Sequence, residues 1–236
     1  MARILDTSTS RGAAEQGWLY SRHTFSFASY HNPERMGFGL LRVINDDTVQ
    51  ASMGFGVHPH KNMEIISIPI AGSLRHKDSM GNQHVISAGE VQVMSAGTGI
   101  THSEYNNSEI DEVSFLQIWI KPKDLNIEPR YDQRKIDDSY STNTFQPIAA
   151  PFGTDGVVNI NQDAYFSIAN IDSNTNITYD KTKPLNGVYF FLIKGELSMG
   201  VNTLFERDGV GITDEDSIDI STQKVSTLLC IEVPMK

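Results

Sequence analysis

Residues 54–72, GFGVHPHKNMEIISIPIAG, carry the pattern from which the rest of the chain is read. The apolar run MEIISIPI is rich in β-branched side chains and ends on a turn glycine, Gly72, so it reads as a strand. Runs of the same kind recur between Gly, Asn, Asp and Ser: GFGLLRVI, HVISAGEVQVM, VSFLQIWI, FSIANI, VYFFLIKGELSMGV and VSTLLCIEV. Short strands punctuated in this way predict an all-β sandwich or barrel. The run 113–120 is apolar at nearly every position and reads as a strand buried on both faces. Pro69 cannot donate to a ladder, which places it at a strand end, an edge or a bulge. Helical signal is confined to a short turn after Pro33 and to 126–134.

The middle of the chain, 126–151, turns polar and then proline-containing, the composition of a connection between two units. A loose repeat spans it. The first half has an apolar run, Gly72-Ser73-Leu74, then Ala88-Gly89-Glu90 and the alternating VQVM; the second has VYFFLIK, Gly195-Glu196-Leu197, then Glu206-Arg207-Asp208 and GVGIT. Strand, tight turn, hairpin, acidic turn and strand follow in the same order, which suggests a duplicated architecture divided into 1–135 and 136–236.

Composition narrows the function classes. The 236 residues, with 39% hydrophobic and 20% charged side chains, suit a globular protein rather than a disordered one. A net charge of −10 argues against a phosphate-backbone footprint and against an anionic membrane surface. Cys230 is the only cysteine, so there is no disulfide framework and no thiolate zinc site. The N-terminal MARILDTSTSRGAAEQ lacks the apolar segment of a signal peptide, and the longest apolar runs are far short of the roughly 20 residues of a membrane helix. A cytoplasmic location is expected.

All seven histidines lie at or before His102, so chemistry based on imidazole belongs to the first half. In GFGVHPHKNMEI, His58 and His60 are two apart and project to one face of a strand, with Pro59 stiffening the backbone between them. Glu64 has the same parity if that strand is unbroken. In GTGITHSEYN, His102 and Glu104 again share a face, behind Gly97 and Gly99. Imidazole nitrogens with a hard carboxylate suit a borderline divalent metal with positions left open for a ligand, and either Glu64 or Glu104 can supply the carboxylate. A net positive centre of this kind suits an oxyanion such as an enolate or phenolate. His23 reads as a hydrogen-bonded packing residue, His31 as a turn residue, and His76 and His84 as exposed arms of a hairpin around Met80-Gly81-Asn82. His76 is the one of these that could support the metal from behind. No G-x-S-x-G, P-loop, G-x-G-x-x-G or C-x-x-C competes.

These residues resemble the two motifs of cupins: H-x-H followed by Glu64 and the turn at Gly72, then Gly89-Glu90 and Gly99-Ile100-Thr101-His102 with Asn106. WLYSRHTFSFASY, GFGVHPHKNMEII, HKDSMGN, MSAGTGITHSEYN and LQIWIKP resemble more narrowly the pirin family, in its bacterial quercetinase-like branch. The resemblance implies a bicupin of two tandem jelly-roll units, the second degenerate and without metal ligands. It implies one divalent transition metal per chain, iron first, with nickel, copper, manganese, cobalt or zinc as alternatives. The ligands carried over are His58, His60, His102 and Glu104, with Glu64 beside them. Such pirins open the central ring of flavonols such as quercetin with O2, releasing carbon monoxide; here Glu104 is the expected base and Glu64 the second choice. Other pirins act as transcription co-regulators or bind metabolic enzymes, so a metal-sensing regulatory protein is the alternative. Two cupins in one chain make a monomer the expected state.

Overall fold

The computed structural model describes residues 3–137 and 141–236; Met1 and Ala2 of the N-terminal stretch, and 138–140 of the expected connection, lie outside the described residues. The first strands are β1 (Arg3–Asp6), β2 (Gly12–Glu15), β3 (Leu19–His23), β4 (Leu41–Val49), β5 (Gly54–His60) and β6 (Glu64–Ala71). β7 (Ser73–Asp78), β8 (Gln83–Ser87), β9 (Glu90–Ser95), β10 (Ile100–Asn106), β11 (Val113–Ile120) and β12 (Arg130–Lys135) follow. The second half has β13 (Gln146–Pro151), β14 (Val158–Ile160), β15 (Tyr165–Ile171), β16 (Asn176–Asp180) and β17 (Asn186–Lys194). It ends with β18 (Glu196–Met199), β19 (Asn202–Phe205), β20 (Gly209–Ile212), β21 (Ser217–Thr222) and β22 (Ser226–Pro234). The one helical element among the described residues is a 3-10 turn at Ser8–Ser10.

The strands form two sandwiches. In the first, the sheet β12-β9-β6-β11-β4-β3-β2 faces β5-β10-β7-β8; in the second, β1-β20-β17-β22-β15-β13-β14 faces β16-β21-β18-β19. Read along each sheet, the two orders correspond except at one edge, where β2 pairs antiparallel with β3 but β14 pairs parallel with β13, so the repeat expected from the turn glycines is an architectural one. Gly72 and Gly195 occupy equivalent turns at φ 77° and 107°, a region a side chain would strain. One outer strand crosses between the halves. β1, at the very start of the chain, adds to the second half's sheet, whereas β12, from the connection, adds to the first. Arg3–Asp6 thus joins a sheet otherwise built from residues 146–234.

The two seven-stranded sheets pack on one another through the largest apolar cluster, in which Ile66, Ile68, Leu116 and Ile118 meet Phe166, Tyr189, Phe191 and Ile231. β11 is buried on both faces because it lies between β6 and β4 and separates this interface from the first sandwich's interior. Pro69 sits at a bulge, where Ser114 pairs with Ala71 but Phe115 pairs with Pro69. Segment 126–134 is not helical, contrary to expectation. Pro129 prevents a helix from continuing, and Arg130–Lys135 instead pairs along the open edge of β9. The residues after Pro33 form a turn only. No helix of the described residues is long and apolar enough to cross a membrane.

Candidate metal centre

Strand register brings the histidines together. β5 is an edge strand, where a proline such as Pro59, lacking an N–H, is tolerated. His102 lies directly opposite His58 on β5 and opposite Asp78 on β7, while Glu104 lies opposite His76. Between the pairs His102–His58 and Glu104–Phe55, β5 carries one extra residue, a bulge at Gly56–Val57. The carbonyl of Gly56 accepts a hydrogen bond from Nδ1 of His58 at 2.8 Å, which leaves Nε2 with its lone pair free.

The ring centroids of His58, His60 and His102 lie 4.4–4.9 Å apart. One donor atom from each falls within 4.8 Å of the others, and His76, His102 and Glu104 form a second such group sharing His102. His102 is buried and neither ring nitrogen has a hydrogen-bond partner, a costly state for a polar group unless something else occupies its lone pair. Burial, followed by the charges of His102 and His58, lowers the pKa of His60 to about 4; burial, His58 and His76 lower that of His102 to about 3. Both rings are therefore neutral at physiological pH, the state in which imidazole ligates a metal. By this test the residues fit a transition metal.

The two carboxylates part company. Glu104 is 1% exposed and held at both oxygens: Ser67 Oγ donates to Oε1 at 3.2 Å and Gln117 Nε2 to Oε2 at 2.7 Å. Glu64 does not stand beside the histidines. The chain breaks after His60 and re-enters in the opposite sheet, where Glu64 shares parity with Ile66 and Ile68 and faces the second half. There it accepts from Ser95 Oγ at 2.7 Å and from the backbone N–H of Asn161 at 3.1 Å. Burial raises its pKa. Glu64 thus ties the two halves together.

His76 also departs from expectation, being fully buried rather than on an exposed arm. Its strand is an inner one, between β10 and β8, and its ring points inward, bonded through Nε2 to Asp78 at 3.1 Å. His84 is exposed, and His31 is exposed in an irregular segment. His23 is buried, bonded to Asn45 at 2.8 Å and packed against Phe27.

His58, His60 and Glu104 open onto a cavity of about 370 Å³, within the usual range for small-molecule sites. Trp18, Phe27, Phe55 and Trp119 form its apolar walls, and Ser21, Asn45, Asp47 and Gln117 line it with polar groups. Phe55, an aromatic beside a strand, serves both the wall and the adjoining core cluster. Sequence reasoning passed over Asn45, Asp47 and Gln117. Their signal was polar residues on the inward face, at 45 and 47 of the strand LRVINDDTV and at 117 of the apolar VSFLQIWI.

The chain's similarities agree with this geometry. Residues 6–120 match pirin, and 147–233 match the quercetinase C-terminal cupin domain. Quercetin 2,3-dioxygenase of Escherichia coli K12 is 40% identical over 234 residues, 98% of each chain. A pirin-like protein of Caulobacter vibrioides is 37% identical over 222 residues, covering 94% and 95% of the two chains. The crystal structure of YhhW from E. coli superposes with a TM-score of 0.94 at 39% identity, covering 99% of this chain and 98% of that one. A complex of the same bacterial pirin with nickel(II) superposes at 0.93 with 39% identity, covering 99% of both chains. With two cupin sandwiches, a histidine–carboxylate cluster in the first and full-length similarity to these proteins, the chain belongs to the pirin family.

Proposed function

We propose that the chain is a metal-dependent dioxygenase that cleaves the central ring of flavonols such as quercetin, with the metal held by His58, His60, His102 and Glu104. The observation that carries this reading is the convergence of three imidazoles, their donor atoms within 4.8 Å of one another, two of which, His58 and His60, line an aromatic-walled cavity together with the carboxylate of Glu104. A divalent first-row ion bound there supplies a Lewis-acid position for a ligand oxyanion and a site for O2. The protein's part is orientation. Gly56 sets the ring of His58, Ser67 and Gln117 fix Glu104, and Trp18, Phe27, Phe55 and Trp119 offer flat surfaces to a planar aromatic ligand while excluding water.

The similarity to a protein named quercetin 2,3-dioxygenase supports the substrate class. The test is quercetin-dependent oxygen uptake and carbon monoxide release by protein loaded in turn with iron, nickel, copper and manganese. Catalytic turnover with at least one ion, absent from the doubly substituted His58→Ala/His102→Ala protein, is expected. Metal bound without oxygen uptake would overturn the enzymatic reading in favour of a metal-sensing regulatory role.

A further inference from the structure

A ligand hydroxyl must lose its proton before it can bind as an oxyanion, and Glu104 is already committed: each of its oxygens accepts a hydrogen bond from the protein, and the proposed ligand set gives a remaining lone pair to the metal. A second carboxyl lines the same cavity. Asp47 is 3% exposed, on β4, facing inward with Asn45. Ser21 Oγ donates to its Oδ1, and no hydrogen bond from a described residue reaches Oδ2. Ser21 is itself steadied by His23, whose Nδ1 lies 3.3 Å from its Oγ. Asp47 lines the same cavity of about 370 Å³ as His58 and His60, so a ligand that fills it meets both the histidines and Asp47.

Resting on the flavonol reading, we propose that Asp47, rather than Glu104, is the catalytic base that ionises the bound ligand's hydroxyl. The O–H bond of the ligand breaks, the proton passes to Oδ2 of Asp47, and the electron pair stays on the ligand oxygen. The surroundings suit this. Burial raises the carboxyl's pKa to about 7, with the Ser21 hydrogen bond opposing and the charges of Asp46 and Glu104 adding to the rise. That lies near the value at which a base works best at neutral pH. Asp46 itself turns to the other face, to Arg207 at 2.8 Å and Arg11 at 3.5 Å. The other groups facing Asp47 are uncharged: Ser21 and neutral His23 on β3, whose pKa is lowered by burial, and Phe115 and Gln117 on β11.

Both tryptophans of the chain, Trp18 and Trp119, line the cavity, so intrinsic fluorescence reports occupancy directly. Quercetin is titrated anaerobically into metal-loaded protein at neutral pH. Tryptophan quenching gives affinity, and the long-wavelength absorption of the flavonol anion gives ionisation. Asp47→Asn keeps an acceptor for Ser21. It is expected to bind quercetin within about threefold of wild type but without the anion's absorption, with kcat down about 100-fold or more and KM little changed. Asp47→Glu should restore part of the anion signal, and raising the pH until the free flavonol ionises should rescue Asp47→Asn. Ionisation and turnover by Asp47→Asn within twofold of wild type would overturn the proposal. Wild-type protein that binds and ionises quercetin but consumes no oxygen would sink the dioxygenase reading and leave Asp47's role standing, whereas absence of quenching in wild type would overturn both.

Discussion

The two sandwiches share a strand order but fill their interiors in opposite ways. Aligned on the turns at Gly72 and Gly195 and carried across by register, His76 corresponds to Met199, Glu104 to Ile220, His102 to Ile218 and His58 to Tyr179. On the facing sheets, Ser67 corresponds to Phe190, Gln117 to Cys230, Gln92 to Val210 and Asp47 to Ala169. The second interior is one continuous apolar cluster. The first is split into two small clusters, around Phe115 and around Met94, with the polar chamber between them. The lesson is a division of labour within a duplicated fold. One copy buries hydrocarbon and anchors the shared interface; the other gives up packing at its centre so that polar side chains can converge.

The most drastic way to break the contrast is to give the first half the second half's residues. His102→Ile/Glu104→Ile should reduce metal content from about one ion per chain to none and cost about 1–3 kcal/mol of stability, since Ser67 and Gln117 lose their buried acceptor. Metal analysis after dialysis and chemical denaturation would check both halves of that statement. The reverse asymmetry is probed at one equivalent position. Phe190→Ala should cost about 3–5 kcal/mol in denaturation without changing metal content, whereas Ser67→Ala should cost about 1 kcal/mol.

Smaller effects sharpen the account of the chamber. Gln117→Leu frees one oxygen of Glu104 and should weaken metal binding about 10–100-fold in competition with a chelator, with little change in secondary structure. In metal-free protein, His60 and His102 have folded-state pKa values of about 4 and about 3, below the ordinary 6.5. Below pH 6.5 the unfolded chain binds protons that the folded chain refuses, so stability should fall as pH drops from 6.5 towards 4, by at most about 1.4 kcal/mol per pH unit for each group. Denaturation curves between pH 7 and 4.5 would show the slope, and His102→Ile should flatten it.

The sequence was most legible where chemistry needs a short local pattern. H-x-H and H-x-E are read from strand parity alone, and register places three of their imidazoles around one point. Parity failed for Glu64 because it assumes an unbroken strand, and the chain changes sheets between His60 and Glu64. His76 was misread because a hairpin in sequence says nothing of which face another sheet covers. Asp47 and Gln117 carry no signal of their own for a related reason: a polar residue in a strand points to a site only once the strand's inward face is known. The crossing of β1 to the second half depends on pairing between Arg3–Asp6 and residues some two hundred positions away, which no local pattern encodes.

The central claim is that the first half's polar interior holds a metal and the second half's does not. Anomalous diffraction at the absorption edge of the ion retained on purification tests it most directly. One peak within bonding distance of His58, His60, His102 and Glu104, and none in the second sandwich, is the result expected. A peak elsewhere in the chain, or none in protein crystallised with excess iron or nickel, would contradict the account.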